Sequence, residues 1–144
     1  VRAVVTGGAS GLGFAVAKFL VANGGKVALF DVNAERGAAA VAELGADNAH
    51  FFRTDVSDEA GVAANVQAAK DAMGGLNAAI NCAGILGSGR VLGKEGAMPL
   101  STFATTVMVN LVGSFNVAKA VAALMQANEP GEDGERGVIV NTAS

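Results

Sequence analysis

The feature that most constrains this chain is a series of short, continuous apolar stretches, each followed by a segment long enough for a helix. Residues 2–6, 26–31, 50–54, 76–81 and 137–142 are rich in β-branched or apolar side chains and read as strands. Val27-Ala28-Leu29-Phe30 and Val138-Ile139-Val140 show no polar alternation. A strand apolar on both faces is covered on both faces, so a parallel sheet flanked by helices is expected. Between the strands, Ala15, Val16, Phe19 and Leu20 form one helical stripe, Val62, Val66, Ala69 and Met73 a second, and Phe103, Val107, Leu111 and Val121 a third. Residues 33–44 supply a further helix. Right-handed crossovers then give a doubly wound α/β sheet, with its ligand crevice at the carboxyl ends of the strands where the winding reverses.

A length of 144 residues predicts one domain. Ten Lys and Arg against 13 Asp and Glu offer no basic field, so neither nucleic acid nor an anionic membrane is an expected partner. A single cysteine, Cys82, excludes an internal disulfide framework and a cysteine-rich metal site. It fits a reducing compartment, so a cytoplasmic location is expected, and no metal. The chain starts in an apolar run with no charged region or cleavage site around it, so no signal peptide is visible. Residues 96–118 lack charge over a length able to span a bilayer, yet Ser101, Thr102, Thr105, Thr106, Asn110, Ser114 and Asn116 make them too polar. They read as a buried helix.

The first strand runs into Thr6-Gly7-Gly8-Ala9-Ser10-Gly11-Leu12-Gly13, a glycine-rich turn that opens a helix. Glycines there permit a sharp turn, close approach of a pyrophosphate to the helix N-terminus, and tight packing of helix on strand. Gly7, Ser10, Gly11, Leu12 and Gly13 are therefore candidate cofactor residues. Asp31 ends the second strand, where a carboxylate accepts hydrogen bonds from the adenosine ribose and repels a 2′-phosphate. No Arg or Lys lies in the glycine turn or between Asp31 and Arg36, which favours NAD over NADP. Asp31 also reads as an N-cap for the helix over 33–44.

These residues resemble the short-chain dehydrogenase/reductase family, whose Thr-Gly-x-x-x-Gly-x-Gly signature is met at Thr6, Gly7, Gly11 and Gly13. Further matches follow in order along essentially the whole chain. Asp55-Val56 resembles the family's adenine-contacting position, although Asp55 equally reads as a helix cap. Asn81-Cys82-Ala83-Gly84 resembles Asn-Asn-Ala-Gly with one replacement, which makes Asn81, Ala83 and Gly84 candidates; Asn81 also suits satisfaction of loop backbone groups. Asn110 matches the active-site Asn, where it holds a water or kinks its helix. Ser144, ending Asn141-Thr142-Ala143-Ser144, matches the catalytic Ser. The resemblance implies a Rossmann fold, with residues 1–144 forming the dinucleotide-binding domain as the N-terminal five strands of a larger single domain. It implies a carbonyl held by Ser144 and a Tyr acting as general acid/base beside a Lys. The 144 residues contain no Tyr, so the Tyr-x-x-x-Lys pair is expected beyond Ser144.

Within the family, the glycine turn, the long 84–99 insertion and Arg136-Gly137-Val138-Ile139-Val140-Asn141-Thr142-Ala143-Ser144 are most similar to the type-2 3-hydroxyacyl-CoA dehydrogenases, the 17β-hydroxysteroid dehydrogenase type 10 group. This implies NAD-dependent interconversion of a secondary alcohol and a ketone, such as a 3-hydroxyacyl-CoA and its 3-oxo form. The alternatives are an NADPH-dependent 3-oxoacyl thioester reductase and a non-catalytic dinucleotide-binding module. Arg90 and Lys94 suit either coenzyme A phosphates or plain solvation. His50 and Cys82 are read as structural. Family members are usually homotetramers, and the helix over 103–125 fits such an interface.

Overall fold

The computed structural model describes residues 1–87 and 89–143. Strands β1 (Arg2–Thr6), β2 (Lys26–Asp31), β3 (Ala49–Arg53), β4 (Ala78–Asn81) and β7 (Val138–Asn141) form one sheet in the order β3-β2-β1-β4-β7. Every pairing in it is parallel. Helices α1 (Gly11–Ala22), α2 (Ala34–Leu44) and α3 (Glu59–Met73) connect the first four strands. The helical segment before β7 comprises α4 (Leu100–Val107), a π turn at Met108–Val112 and α5 (Gly113–Met125). The order reverses between β1 and β4, so the crevice of a doubly wound sheet opens there.

The core divides along the strand alternation, as a sheet covered on both faces requires. Val4, Ala28, Phe30 and Ala79 pack with Val62, Val66 and Met73 of α3 and Val117 and Val121 of α5. Ala3, Val5, Val27, Leu29 and Ala78 pack on the opposite face with Ala17 of α1 and Ala40 of α2. Asn33 caps α2 by accepting the Arg36 N–H at 2.9 Å, so the cap is not Asp31.

Three expectations need correction. The stripe of α1 is not Ala15-Val16-Phe19-Leu20: Gly13 and Ala17 are buried, while Ala15 and Phe19 are exposed. Phe14, Leu20 and Val21 pack against the core around Ala17, so of the four expected residues Leu20 does lie against the core. The segment 96–118 is not a buried helix. None of the α4 residues is buried, and Phe103 and Leu111 stand 56% and 66% exposed beside a fully buried Val121. The π turn resets the helical phase between the two halves, so the third stripe is split. By length and composition alone, Leu100–Met125 is apolar enough to cross a membrane. Finally, the insertion at 84–99, whose glycines read as a plain loop, carries a small antiparallel hairpin, β5 (Leu92–Gly93) with β6 (Gly96–Ala97).

Candidate dinucleotide site

The glycine turn is shaped by three different steric demands. Gly7 has φ +62° and Gly11 φ +54°, left-handed conformations that side chains disfavour. A Cβ on Gly13 would lie 2.4 Å from the carbonyl oxygen of Gly7, so the first turn of α1 closes on the loop only without a side chain. A Cβ on Gly11 would meet nothing within 4 Å: that side of the turn is open space, able to receive a ligand at the helix N-terminus. Ser10 is the N-cap residue in extended conformation, and its side chain makes no cap bond. Thr6, 1% exposed, ties the turn to the end of β4: its hydroxyl oxygen accepts the N–H groups of Cys82 and Ala83, both at 3.0 Å.

Asp31 stands at the end of β2, next to that turn. Its Oδ2 accepts the Ala9 N–H at 3.2 Å and its Oδ1 accepts the Asn33 N–H at 3.0 Å. Both oxygens are thereby oriented by backbone donors, and the carboxylate is tied to the glycine loop itself.

At the end of β3, Asp55 forms a compact turn in which the Ser57 hydroxyl and N–H both donate to Oδ1, at 2.6 and 2.9 Å. The helix cap is Asp58, not Asp55. The Ser57 hydroxyl, and next its N–H, hold the Asp55 carboxyl below the usual carboxylate range, against a small opposing effect of burial. Val56 is buried at 6% exposure and leans on α5 at Gly113.

Asn81, 3% exposed, donates through Nδ2 to Asn141 Oδ1 at 2.8 Å and to the Ser114 carbonyl at 3.3 Å, linking β4 to β7 and α5. Asn110 sits in the π turn and is exposed. Its amide clasps one residue from both sides, Oδ1 accepting the Ile85 N–H at 2.8 Å and Nδ2 donating to the Ile85 carbonyl at 3.0 Å. Asn110 thus sits where its helix is interrupted. Ser144 lies outside the described residues.

These pieces surround a cleft of about 460 Å³ over the switch point. Gly7, Ser10, Gly11, Leu12, Gly13, Asp31, Asp55, Val56, Ala83 and Gly84 all line it; Asn81 and Asn110 do not. Sequence reasoning missed Ile85 and Val109, which add an apolar wall, and Thr54. The apolar character of 85 and 109 carried no signal, because only the fold brings them together. Arg90 and Lys94 are exposed and do not line the cleft. A second cleft, about 500 Å³, lies at the amino ends of the strands around Arg2, Leu76 and Arg136, the edge that doubly wound sheets do not use for ligands.

A parallel, doubly wound sheet with a glycine turn after its first strand and an acid after its second defines a class of domain that takes dinucleotides across its carboxyl edge. The family model for short chain dehydrogenases matches residues 2–144, and the chain belongs to that family. It is 46% identical over 143 residues to a 3-hydroxyacyl-CoA dehydrogenase type-2 of Drosophila melanogaster, covering 98% of this chain and 56% of that protein. To the Homo sapiens protein of the same name it is 43% identical over 144 residues, covering 99% and 55%. The crystal structure of 3-hydroxyacyl-CoA dehydrogenase type-2 from Mycobacterium avium superposes with a TM-score of 0.91 at 39% identity, over 99% of this chain and 56% of that one. The chain thus spans about half the length of the relatives it matches.

Proposed function

We propose that this chain supplies the cofactor-binding half of an NAD-dependent oxidoreductase that interconverts a 3-hydroxyacyl-CoA and its 3-oxo form. The observation that carries the cofactor choice is Asp31. Its carboxylate, fixed by the Ala9 and Asn33 N–H groups, lines the cleft where an adenosine ribose would lie. A carboxylate so held accepts from ribose hydroxyls and repels a 2′-phosphate. The open side of Gly11 and the closed side of Gly13 fit a pyrophosphate on the N-terminus of α1. Asp55 and Val56 form the adenine end. The chemistry a nicotinamide dinucleotide supplies when bound is hydride acceptance and donation. On the family resemblance, Ser144 hydrogen-bonds the substrate carbonyl, and proton transfer belongs to a Tyr and Lys beyond it. The assignment of substrate rests on the names of the relatives. A cytoplasmic homotetramer is the assembly this reading carries with it.

The test is calorimetric titration of the purified protein with NAD and NADP, followed by assay with NADH and acetoacetyl-CoA of a form that includes the Tyr-x-x-x-Lys segment. NAD is expected to bind at least about tenfold more tightly than NADP, with Asp31→Ala erasing most of that difference. Tighter NADP would favour the reductase reading. Oxidation of NADH that is indifferent to the thioester would overturn the substrate.

A further inference from the structure

We propose that Asn116 is a positioning residue for adenine recognition, acting from α5 through the main chain of Val56. Asn116 is 5% exposed, and its Nδ2 donates to the Val56 carbonyl at 2.9 Å, across 60 residues of sequence. Almost one turn earlier, Gly113 faces the same residue: a Cβ there would come within 2.5 Å of Val56 Cγ2. α5 therefore presses on the Val56 side chain with a bare backbone and grips its carbonyl with an amide. Together the two contacts set both the depth and the tilt of the peptide at 55–57.

That peptide lies in the cleft wall. Val56 and Asp55 line it, and the Asp55 side chain is already locked by Ser57. The Ser57 bonds fix the carboxylate relative to its own loop, and the Thr54 N–H, donating to the Asp31 carbonyl at 2.9 Å, ties the start of that loop to the sheet, which leaves the Val56 peptide further along still to be anchored. Asn116 supplies that anchor from a neighbouring element. An isolated apolar residue in its place would leave a buried carbonyl without a donor, and the loop would move to find water. Adenine is told from other purines by the hydrogen-bonding edge that meets such a loop. A shift of a fraction of an ångström thus costs discrimination before it costs fold.

The role holds only if the cleft takes an adenine nucleotide, so the experiment separates the two questions. Wild type, Asn116→Ala and Val121→Ala are titrated with AMP and with IMP, which differ at the purine edge alone, and their melting temperatures are recorded. Val121 is buried on the same helix against the same core but does not line the cleft, so its truncation is a control for loosened packing. Asn116→Ala is expected to weaken AMP about tenfold and to bring the AMP-to-IMP affinity ratio towards one. Val121→Ala is expected to lower the melting temperature while keeping that ratio. Asn116→Leu, which keeps the bulk and removes the donor, carries the same expectation and serves if the alanine variant does not fold. An unchanged ratio in the Asn116 variants, or an equal loss in Val121→Ala, overturns the positioning role. A wild-type protein that binds neither nucleotide overturns the dinucleotide reading, and this role with it.

Discussion

Asp55 shows what a single side chain at this site is asked to do. Its carboxyl is held below the ordinary range by the Ser57 hydroxyl and N–H, so the ionised form is the one the fold prefers. For a group whose folded value is depressed, the stabilisation is present above the unfolded value and is lost as pH falls through the folded one. The stability that Asp55 contributes is therefore expected to be whole above the ordinary carboxylate range, near pH 4, and to be lost as pH falls from there through the depressed folded value, which urea unfolding of wild type and Asp55→Asn across pH would show as a gap that closes in acid. In Ser57→Ala the Asp55 titration should move upward, as carbon-13 spectra of the carboxyl would record; an unmoved titration would mean that the hydroxyl bond is not made in solution. At this scale the sequence was most readable where a requirement is local. Gly7, Gly11 and Gly13 announce themselves because a left-handed φ or a 2.4 Å approach admits no other residue. Thr6 and Asn116 do not, since each meets partners 60 or more residues away and its type fits many surroundings.

At the scale of elements, α1 and the helical segment at Leu100–Met125 teach different lessons. The α1 stripe was sought among large apolar residues, but its most buried contacts are Gly13 and Ala17, with Phe14, Leu20 and Val21 packed around them. Gly13→Ala puts a methyl group against the Gly7 carbonyl, a backbone atom that cannot swing aside. We expect it to lower stability by about 1–3 kcal/mol in urea unfolding and to weaken NAD at least about tenfold; retention of both would mean that the turn has slack. The helix before β7 was read with one period throughout. The π turn at Met108–Val112 inserts an extra residue into that period, and no composition signal announces such a turn. α3 had neither complication, and its stripe Val62-Val66-Ala69-Met73 is fully buried as expected.

For the whole molecule, the parallel sheet was legible because the β2 run Val27-Ala28-Leu29-Phe30 cannot face water on either side, and all four residues are inaccessible. The sequence also points to the helix over 103–125 as a surface for other subunits. Leu100, Phe103, Leu111 and Phe115 stand more than half exposed along one helical segment, at 79%, 56%, 66% and 67%. Patches of this kind on soluble proteins mark interfaces. Sedimentation at micromolar concentration is expected to give an assembly larger than a monomer, and Leu111→Glu with Phe115→Glu to dissociate it; a wild-type monomer would refute the tetramer.

The hydrogen bonds of Asp31 bear on any effort to redesign cofactor preference. The two oxygens proposed to read a ribose also hold the N–H of Ala9 in the glycine turn and of Asn33 at the mouth of α2. Selectivity and loop architecture are thus encoded in the same atoms. An engineer who removes the carboxylate to admit a phosphate also frees two backbone donors and unpins the turn meant to receive the pyrophosphate. A workable switch would have to supply a neutral acceptor at 31 and place the new cation elsewhere along the cleft.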